Sequence, residues 1–276
     1  MLRSRINTLG YRLLSRFVPK RFTLYQAREL YPLEFLAGMY LAGDGIEIGP
    51  LNSPMPLPPG ARVRYVDYTT LEDLQRTYPH LKVTPPDVID NGETLATFSD
   101  SSVDFIIASH LLEHTQDPIG TLKNFFRVLR PRGIIFLAIP DKRFTFDVDR
   151  PVTPWEHVLR DHVEGPEWSK RSAFEEITRV AFGVTDPATL EQCVERDMRE
   201  IGQTHFHVWT QTEMLEMLAR LKGMIDFEVE AYVSNEQRGE GVIVLRKGEK
   251  GKDRVTATAS LAFARKVFAE RYPGAA

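Results

Sequence analysis

The sequence has a single cysteine, Cys193, among its 276 residues. One cysteine excludes an internal disulfide framework and a zinc site built from several thiolates. No apolar stretch approaches the roughly 18 uninterrupted residues of a transmembrane helix. Near the N-terminus apolar residues alternate with arginines, and no small-residue cleavage site follows, so a secretory signal is not predicted. Together these absences favour a cytoplasmic protein.

Net charge is also small, at −3, but it is unevenly distributed along the chain. Residues 1–22 carry six bases and no acid, and residues 246–271 carry eight bases and three acids. Residues 23–245 therefore carry a charge of −14. An acidic body argues against nucleic acid as a partner. The basic ends leave open an anionic partner such as a membrane surface.

Strand and helix patterns alternate through most of the chain, which predicts a doubly wound α/β fold. Two strands, 103–110 and 133–140, are nearly continuous apolar runs, as expected for strands buried on both faces of a parallel sheet. Helices are predicted at 24–41, 70–78, 117–130 and 210–221, the third of them ended by Pro131 and Gly133. The other five predicted strands are 45–49, 62–68, 87–90, 227–234 and 241–246.

The alternation stops at Asp141 and resumes after residue 203. Residues 141–203 are rich in helical patterns, so we interpret them as a helical insertion after the fifth strand, with the role of a lid. The last two strands lie close together in sequence, which predicts an antiparallel hairpin at the sheet edge. The fold prediction is therefore a mostly parallel seven-stranded sheet with this hairpin and this insertion.

Polar residues stand where four of the predicted strands end, and ligands of open α/β sheets bind at that edge. The first strand ends in a glycine turn with Glu47 two residues before Gly49. A carboxylate there repels a pyrophosphate but suits a cationic ligand, and the G-x-G-x-x-G pattern of dinucleotide sites is missing. Asp67 ends the second strand, where an acid can accept hydrogen bonds from both ribose hydroxyls.

The next two strand ends carry Asp90 with Asn91, and Ser109 with His110. The first pair lies in a short polar turn that suits an exocyclic amine, although a simple turn explains it equally well. His110 and His114 have the spacing of a metal pair on a helix, but no third ligand is adjacent, so a structural role is favoured. Acids at 141, 147 and 149 show no diagnostic spacing either, and the prediction is that no metal is bound.

Taken together, these segments resemble a class I S-adenosylmethionine-dependent methyltransferase, a Rossmann-like fold. The resemblance rests on E-I-G at 47–49, D-N-G-E at 90–93, F-S-D-S-S-V-D-F-I-I-A-S-H-L-L-E-H at 98–114 and R-V-L-R-P-R-G-I-I-F-L-A-I-P at 127–140. It covers 43–140 well and 205–246 weakly. S-adenosylmethionine is the cofactor that this resemblance implies.

The same resemblance implies roles for the residues at the strand ends. Glu47 and Gly49 would lie against the amino-acid end of the cofactor, and Asp67 would hold the ribose. Asn91, with Asp90 nearby, would contact the adenine, and Ser109 or His110 would line the methionine portion. The family usually has two or three glycines after the acid of the first loop, whereas this sequence keeps only Gly49.

The chain also resembles a bacterial subgroup of that family, through E-I-G-x-L-x-x-P at 47–54 and I-P-D-K-R-F-T-F-D-x-D-R-P-x-T-P-x-x-H at 139–157. Members of the subgroup are commonly linked to cell-surface glycan assembly. The resemblance implies O-methylation of a saccharide hydroxyl in a surface glycan or its precursor. The alternatives are a methyltransferase for another small molecule or lipid, and a scaffold that binds the cofactor without turnover.

A hydroxyl acceptor needs a base, because its pKa is far above neutral. His157 is the first candidate and Asp141 the second, both close after the fifth strand in sequence. A capping or packing role is the competing interpretation of His157. His205 and His207 are further candidates, for which a structural pair is the favoured interpretation.

The predicted domain organisation has three parts. Residues 1–42 form an N-terminal helical extension, 43–246 the methyltransferase domain with its lid, and 247–276 a C-terminal extension. Apolar residues near the N-terminus recur every three or four positions, which indicates an amphipathic helix. This helix would cap the cofactor site, the favoured alternative, or contact the inner face of the membrane peripherally. The sequence does not predict the oligomeric state.

Overall fold

The computed structural model describes residues 32–199, 204–236 and 238–249. Its seven strands are β1 (Gly43–Ile48), β2 (Ala61–Asp67), β3 (Val88–Ile89), β4 (Val103–Ser109), β5 (Leu129–Pro140), β6 (Phe227–Asn235) and β7 (Glu240–Lys247). Its α-helices are α1 (Pro32–Tyr40), α2 (Leu71–Thr77), α3 (Pro118–Val128), α4 (Trp155–Glu164), α5 (Glu167–Glu176), α6 (Pro187–Arg199) and α7 (Gln211–Leu221).

The strands form one sheet in the order β3-β2-β1-β4-β5-β7-β6. The first five pair in parallel, while β7 pairs antiparallel with both β5 and β6. The predicted fold class, including the C-terminal antiparallel hairpin, is confirmed. The chain direction across the sheet reverses between β1 and β4, and ligands of such sheets bind at this switch point.

Two apolar layers cover the two faces of the sheet. On one face, Ile46, Ile106 and Ile135 belong to a core that includes residues of α3 and α7. On the other face, Phe105 and Phe136 pack with residues of α1 and β7. Alternate residues of β4 and β5 therefore enter opposite cores, which explains why their sequences are apolar without a break.

Polar side chains begin three of the helices and fix where they start. The Thr70 hydroxyl accepts a hydrogen bond from the Asp73 amide at the start of α2, and Asp117 accepts one from Gly120 at the start of α3. Thr210 forms a reciprocal capping box with Glu213 at the start of α7. Such caps satisfy backbone donors that the first turn leaves unpaired.

The predicted end of α3 is wrong by two residues. The helix stops at Val128, before the expected breakers Pro131 and Gly133, because Leu129 already pairs with Val103 in the sheet. Residues 141–199 contain a 3-10 turn at Lys142–Phe144, then α4, α5, a π-helical turn at Ile177–Ala181, and α6. No strand occurs among the described residues of the predicted insertion.

Parts of the predicted extensions lie outside the described residues, namely 1–31 at the N-terminus and 250–276 at the C-terminus. The amphipathic helix expected near the N-terminus therefore stays a sequence prediction. None of the helices within the described ranges has the length and apolar character that crossing a bilayer requires.

Candidate active site

The predicted cofactor residues all lie at one edge of the sheet. Because β1 to β5 run parallel, their carboxyl ends share this edge, which we call the cofactor edge. It carries the ends of β1, β2, β3 and β4 together with the residues that follow them, namely Glu47, Gly49, Asp67, Asp90, Asn91, Ser109 and His110. The ends of β1 and β4 are adjacent there, so the glycine turn and His110 flank the switch point.

Glu47 is a buried carboxylate, 3% exposed, near the end of β1. Its two oxygens accept hydrogen bonds from the Met55 amide, at 2.9 and 3.1 Å, which ties the loop after β1 back to the strand. Burial raises the pKa of Glu47 to about 7, although the Met55 amide acts in the opposite direction. A cationic group bound beside it would favour the carboxylate form.

Gly49 leaves open space at the same turn. Its φ of +61° lies in the left-handed region, and no atom lies within 4 Å of the position that a Cβ would take. A buried acid beside an open glycine turn fits a ligand with an ammonium group, which S-adenosylmethionine has. The buried Glu47 carboxylate and the open space at Gly49 therefore fit the cofactor that the resemblance implies.

Asp67 ends β2 as a nearly buried carboxylate. Burial raises its pKa, while hydrogen bonds from the Tyr68 and Thr69 amides lower it. The distance from the Tyr68 nitrogen to Oδ1 is 2.8 Å. These amides orient the carboxylate, whose two oxygens can each accept more than one hydrogen bond, so it can receive ribose hydroxyls.

Asp90 holds the turn that follows β3. Its Oδ2 accepts hydrogen bonds from the amide and hydroxyl of Thr97, at 2.9 and 2.6 Å, and its Oδ1 accepts one from the Asn91 amide at 2.8 Å. The Asn91 side chain is exposed and accepts from the Glu93 amide. The two residues predicted for adenine thus differ, since Asp90 is engaged within the turn and Asn91 faces outward.

His110 follows β4 with a left-handed φ of 51°. Its Nε2 lies 2.8 Å from Oε2 of Glu240, and its Nδ1 lies 3.5 Å from Oε1 of Glu113. Burial lowers the pKa of His110, but the hydrogen bond with Glu240 and the attraction to both carboxylates outweigh it and raise the pKa to about 9. The end of β4 therefore presents an imidazolium between two buried acids, beside the glycine turn of β1.

The sequence reasoning did not identify Glu240. It begins β7 and pairs with Pro140 at the end of β5, because β7 runs antiparallel to β5. Its other oxygen accepts a hydrogen bond from the Asn235 side chain at 2.8 Å. A charged residue directly before the apolar run of β7 was the available signal, but only the antiparallel pairing places it at the cofactor edge.

His157, the first candidate base, lies on α4 in a network that we call the α4 network. Its Nε2 is 3.2 Å from Oδ2 of the buried Asp161. The same oxygen lies 2.9 Å from Nε2 of His207, and the Ser169 hydroxyl donates to Asp161 Oδ1 at 2.7 Å. Burial alone would raise the pKa of Asp161, but the hydrogen bonds from these three groups outweigh it and lower the pKa to about 2. The carboxylate orients His157, as a base requires.

Asp141, the second candidate base, is fully buried at the end of β5. Arg143 engages its carboxylate, with the Arg143 Nη2 at 2.6 Å from Oδ2 and the Arg143 amide at 3.0 Å from Oδ1. Burial raises the pKa of Asp141, but the hydrogen bonds and charge of Arg143 outweigh it and lower the pKa. This geometry describes an anchored carboxylate better than a proton acceptor.

Two further histidines and a glutamate form a second group, which we call the β4 cluster: Glu113, His114 and His205. One oxygen or nitrogen atom from each of the three lies within 4.8 Å of the other two. The Glu113 carbonyl oxygen accepts hydrogen bonds from the amides of Phe206 and His207, which holds the segment before α7 against the turn that follows β4. Burial lowers the pKa of His114 and so favours its neutral form.

His205 and His207 thus join different groups. His207 belongs to the α4 network and also contacts the Thr115 carbonyl oxygen through Nδ1, at 3.0 Å. His205 belongs to the β4 cluster. The sequence singled out both histidines but could not show that they contact different carboxylates, since those lie on distant parts of the chain.

Exposed aromatic rings in the predicted insertion lie against both groups. Trp168 is 40% exposed, and its ring centroid lies 4.7 Å from that of His157. Phe146, half exposed, lies 4.8 Å from the His205 ring and 6.3 Å from Phe182, which is 62% exposed. The Arg160 guanidinium lies over one face of Trp168, with its Cζ 4.1 Å from the ring centroid, and Phe182 stacks on Phe146. The parts of these rings that stay exposed border the histidine–carboxylate pairs, where a ring-shaped acceptor can make apolar contact.

Comparisons with known proteins identify one matching family. Residues 53–221, more than half of the chain, match a family model described as a methyltransferase domain. The match begins after Glu47 and Gly49 but includes the other predicted site residues. No curated protein matches this sequence.

Solved structures with a similar fold include a SAM-dependent methyltransferase from Methanosarcina mazei, at 23% identity and a TM-score of 0.41, with 80% of this chain and 100% of that chain covered. Another is phosphoethanolamine N-methyltransferase 1 of Haemonchus contortus, in complex with phosphoethanolamine and S-adenosylhomocysteine. Its identity is 15% and its TM-score 0.49, with 86% of this chain and 46% of that chain covered.

Proposed function

This chain belongs to the methyltransferase domain family and is a methyl-transferring enzyme that uses S-adenosylmethionine. We propose that its acceptor is a saccharide hydroxyl in a surface glycan or its precursor. The observation that carries this proposal is the contact between exposed aromatic rings and oriented histidines, Trp168 with His157 and Phe146 with His205. Aromatic faces suit the apolar faces of sugar rings, and a hydroxyl needs a base.

The cofactor would be held by the residues of the cofactor edge. Glu47 would attract its ammonium group beside the space at Gly49, Asp67 would accept hydrogen bonds from the ribose, and Asn91 would border the adenine. His110 and Ser109 would line the methionine portion. When bound, the cofactor supplies an electrophilic methyl group on a sulfonium, and the carbon–sulfur bonding electrons stay on sulfur as the new carbon–oxygen bond forms.

The chain itself has to place the hydroxyl, accept its proton and exclude water. We propose that His157 accepts the proton, because Asp161 hydrogen-bonds its Nε2 and leaves Nδ1 as the acceptor. The charge that develops on the imidazole would be stabilised by the Asp161 carboxylate. The helices of the insertion would cover the acceptor and limit the access of water.

The test incubates the purified enzyme with methyl-labelled cofactor and three acceptor classes, namely nucleotide sugars, oligosaccharides and lipid quinols. Label on a sugar oxygen, located by mass spectrometry and NMR, is the expected result. Label on lipid quinols alone would favour the small-molecule or lipid alternative. Binding of S-adenosylhomocysteine without turnover of any acceptor would favour the scaffold alternative.

The base is tested by replacing His157 with Gln. The expected result is a kcat lower by about 10² to 10⁴ with nearly unchanged affinity for S-adenosylhomocysteine. His80→Gln is the matched control, because His80 is exposed and lies outside the site. If the kcat of the His157 variant stays within a factor of about three of the control, His157 is not the base.

A further inference from the structure

The Glu113 carboxylate is the least satisfied charged group in the β4 cluster. Glu113 is 1% exposed, and neither oxygen accepts a hydrogen bond from any described residue. Nearby nitrogens are His110 Nδ1 at 3.5 Å and His114 Nε2 at 3.9 Å, both measured to Oε1. His110 brings a positive charge near Oε1, but neither oxygen receives a hydrogen bond from the described residues, so this buried carboxylate can still bind a cation directly.

Both histidines of the cluster use Nδ1 for a fixed partner. Nδ1 of His205 lies 2.6 Å from Oδ2 of Asp147, and Nδ1 of His114 lies 3.1 Å from the Thr204 carbonyl oxygen. This leaves Nε2 of each ring for another ligand. Metal-binding histidines are commonly oriented in this way, with the second ring nitrogen donating to a carboxylate or a carbonyl oxygen.

Asp147 is itself held in place. Its Oδ1 accepts a hydrogen bond from Arg150 Nη1 at 2.7 Å, and Arg150 also donates to the His205 carbonyl oxygen at 2.9 Å. All of these groups are buried or nearly so. The chain therefore fixes His205 from two directions, which is more than packing of a histidine ring requires.

The α4 network has similar residue types, but its carboxylate oxygens already accept hydrogen bonds. Oδ2 of Asp161 receives both His157 and His207, and Oδ1 receives Ser169. The remaining nitrogen of His207 contacts the Thr115 carbonyl oxygen. The ligand atoms of His157, Asp161 and His207 also lie within 4.8 Å of one another, as those of a metal site would. Donors from the protein already occupy both oxygens of Asp161, however, which favours the β4 cluster as the metal site. This contrast makes the β4 cluster the distinctive one.

We propose that Glu113, His114 and His205 bind one divalent transition-metal ion, of which Zn²⁺ is the best match. Two imidazole nitrogens and one carboxylate oxygen are a ligand set typical of catalytic zinc, and three protein ligands leave a position open. The sequence predicted no metal because its argument considered ligands at close spacing. His114 and His205 are brought together only when the segment before α7 packs on the turn after β4.

The position of the cluster suggests what the ion does. Glu113 contacts His110 of the cofactor edge, and the half-exposed Phe146 lies on His205. An ion here would lie between the predicted methionine portion and the aromatic surface, where it would polarise the acceptor hydroxyl. This role rests on the proposed function, whereas binding of the ion does not.

The test measures metal binding without cofactor or acceptor, so it can fail or succeed independently of the proposed function. The full chain is treated with a chelator, dialysed, and titrated with Zn²⁺ by calorimetry and with Co²⁺ by visible absorption. The expected result is one ion per chain and a Co²⁺ spectrum with nitrogen and oxygen ligands. Absence of stoichiometric binding would overturn the proposal.

Variants locate the site. Glu113→Gln, His114→Ala and His205→Ala are each expected to weaken Zn²⁺ binding at least about 100-fold, and Asp147→Asn about tenfold. His80→Ala and His157→Ala are the controls, and both should bind as the unmodified chain does. Equal binding by all variants, or loss only in His157→Ala, would refute this ligand set.

Discussion

The burial of Glu47 should make the stability of the protein depend on pH. Its pKa, near 7 in the folded chain, lies above the ordinary value of 4.5. A raised pKa contributes stability that is present at low pH and is lost as pH rises through about 7. Relative to Glu47→Gln, the unmodified protein should therefore lose about 2 kcal/mol of unfolding free energy between about pH 5 and 8.

Urea unfolding of the metal-free and cofactor-free proteins at both pH values measures this difference. Tyr65 is the neighbouring titratable group, and burial raises its pKa above 10, with Glu47 adding to the effect, so it does not titrate in this window. Parallel stability profiles for the two proteins would mean that Glu47 is ionised throughout. A bound cofactor should reverse the trend, because its ammonium group favours the carboxylate.

Asp67 carries a second prediction at the residue scale. Asp67→Asn keeps the shape of the side chain but removes the charge that strengthens hydrogen bonds from the ribose. Affinity for S-adenosylhomocysteine should fall about 10- to 100-fold, as for the loss of charge-assisted hydrogen bonds. Calorimetry measures the change.

Asp44→Asn is the matched control for Asp67→Asn. Asp44 is an exposed acid at the opposite end of β1, paired with Arg62 at 2.6 Å. Its replacement should leave the affinity for S-adenosylhomocysteine within about twofold. If the two variants bind the ligand alike, Asp67 does not contact the ribose.

At the scale of elements, Arg150 connects two parts of the predicted insertion with the segment before α7. Its guanidinium is 1% exposed and donates to Asp147, to Glu176 at the end of α5, and to the His205 carbonyl oxygen. Arg150→Ala would leave Asp147 buried beside His205 without its main donor. The expected loss of unfolding free energy is about 3 to 5 kcal/mol.

Arg171→Ala is the control for this prediction. Arg171 contacts three carboxylates, those of Glu175, Glu191 and Glu195, but its side chain is 41% exposed. Solvent screens such pairs, so the loss should stay near or below about 1 kcal/mol. Urea unfolding compares the two variants, and equal losses would show that burial does not govern these interactions.

The elements also show what sequence patterns can and cannot predict. The strands β4 and β5 were recognisable because burial on both faces requires continuous apolar sequence. The acids at the strand ends followed from the parallel topology. The end of α3 was misplaced because Leu129 pairs with Val103 in the sheet, a contact between distant residues that the helical pattern does not show. Glu240 and the β4 cluster depend on contacts between distant segments, for which no local pattern exists.

At the scale of the whole molecule, the basic ends remain to be explained. Residues 1–22 lie outside the described residues, so the cap and the membrane contact are still both sequence predictions. We favour the cap. We therefore expect that deletion of residues 1–22 weakens S-adenosylhomocysteine binding, and that the full chain and the deletion variant both show only background flotation with anionic liposomes. If the full chain floats, and the deletion abolishes flotation without changing the ligand affinity, the result would instead support a peripheral membrane contact.

The acidic body gives the last prediction. Residues 23–245 carry a charge of −14, and the substrate form of the cofactor carries one positive charge more than its demethylated product. Salt screens the attraction over about 10 Å at 0.1 M, so raising NaCl from about 20 to about 500 mM should weaken S-adenosylmethionine binding several-fold. Binding of the neutral product should change less than about twofold. Calorimetry with both ligands at both salt concentrations measures this difference. Equal sensitivity to salt would mean that the acidic charge lies too far from the cofactor edge to act on the sulfonium.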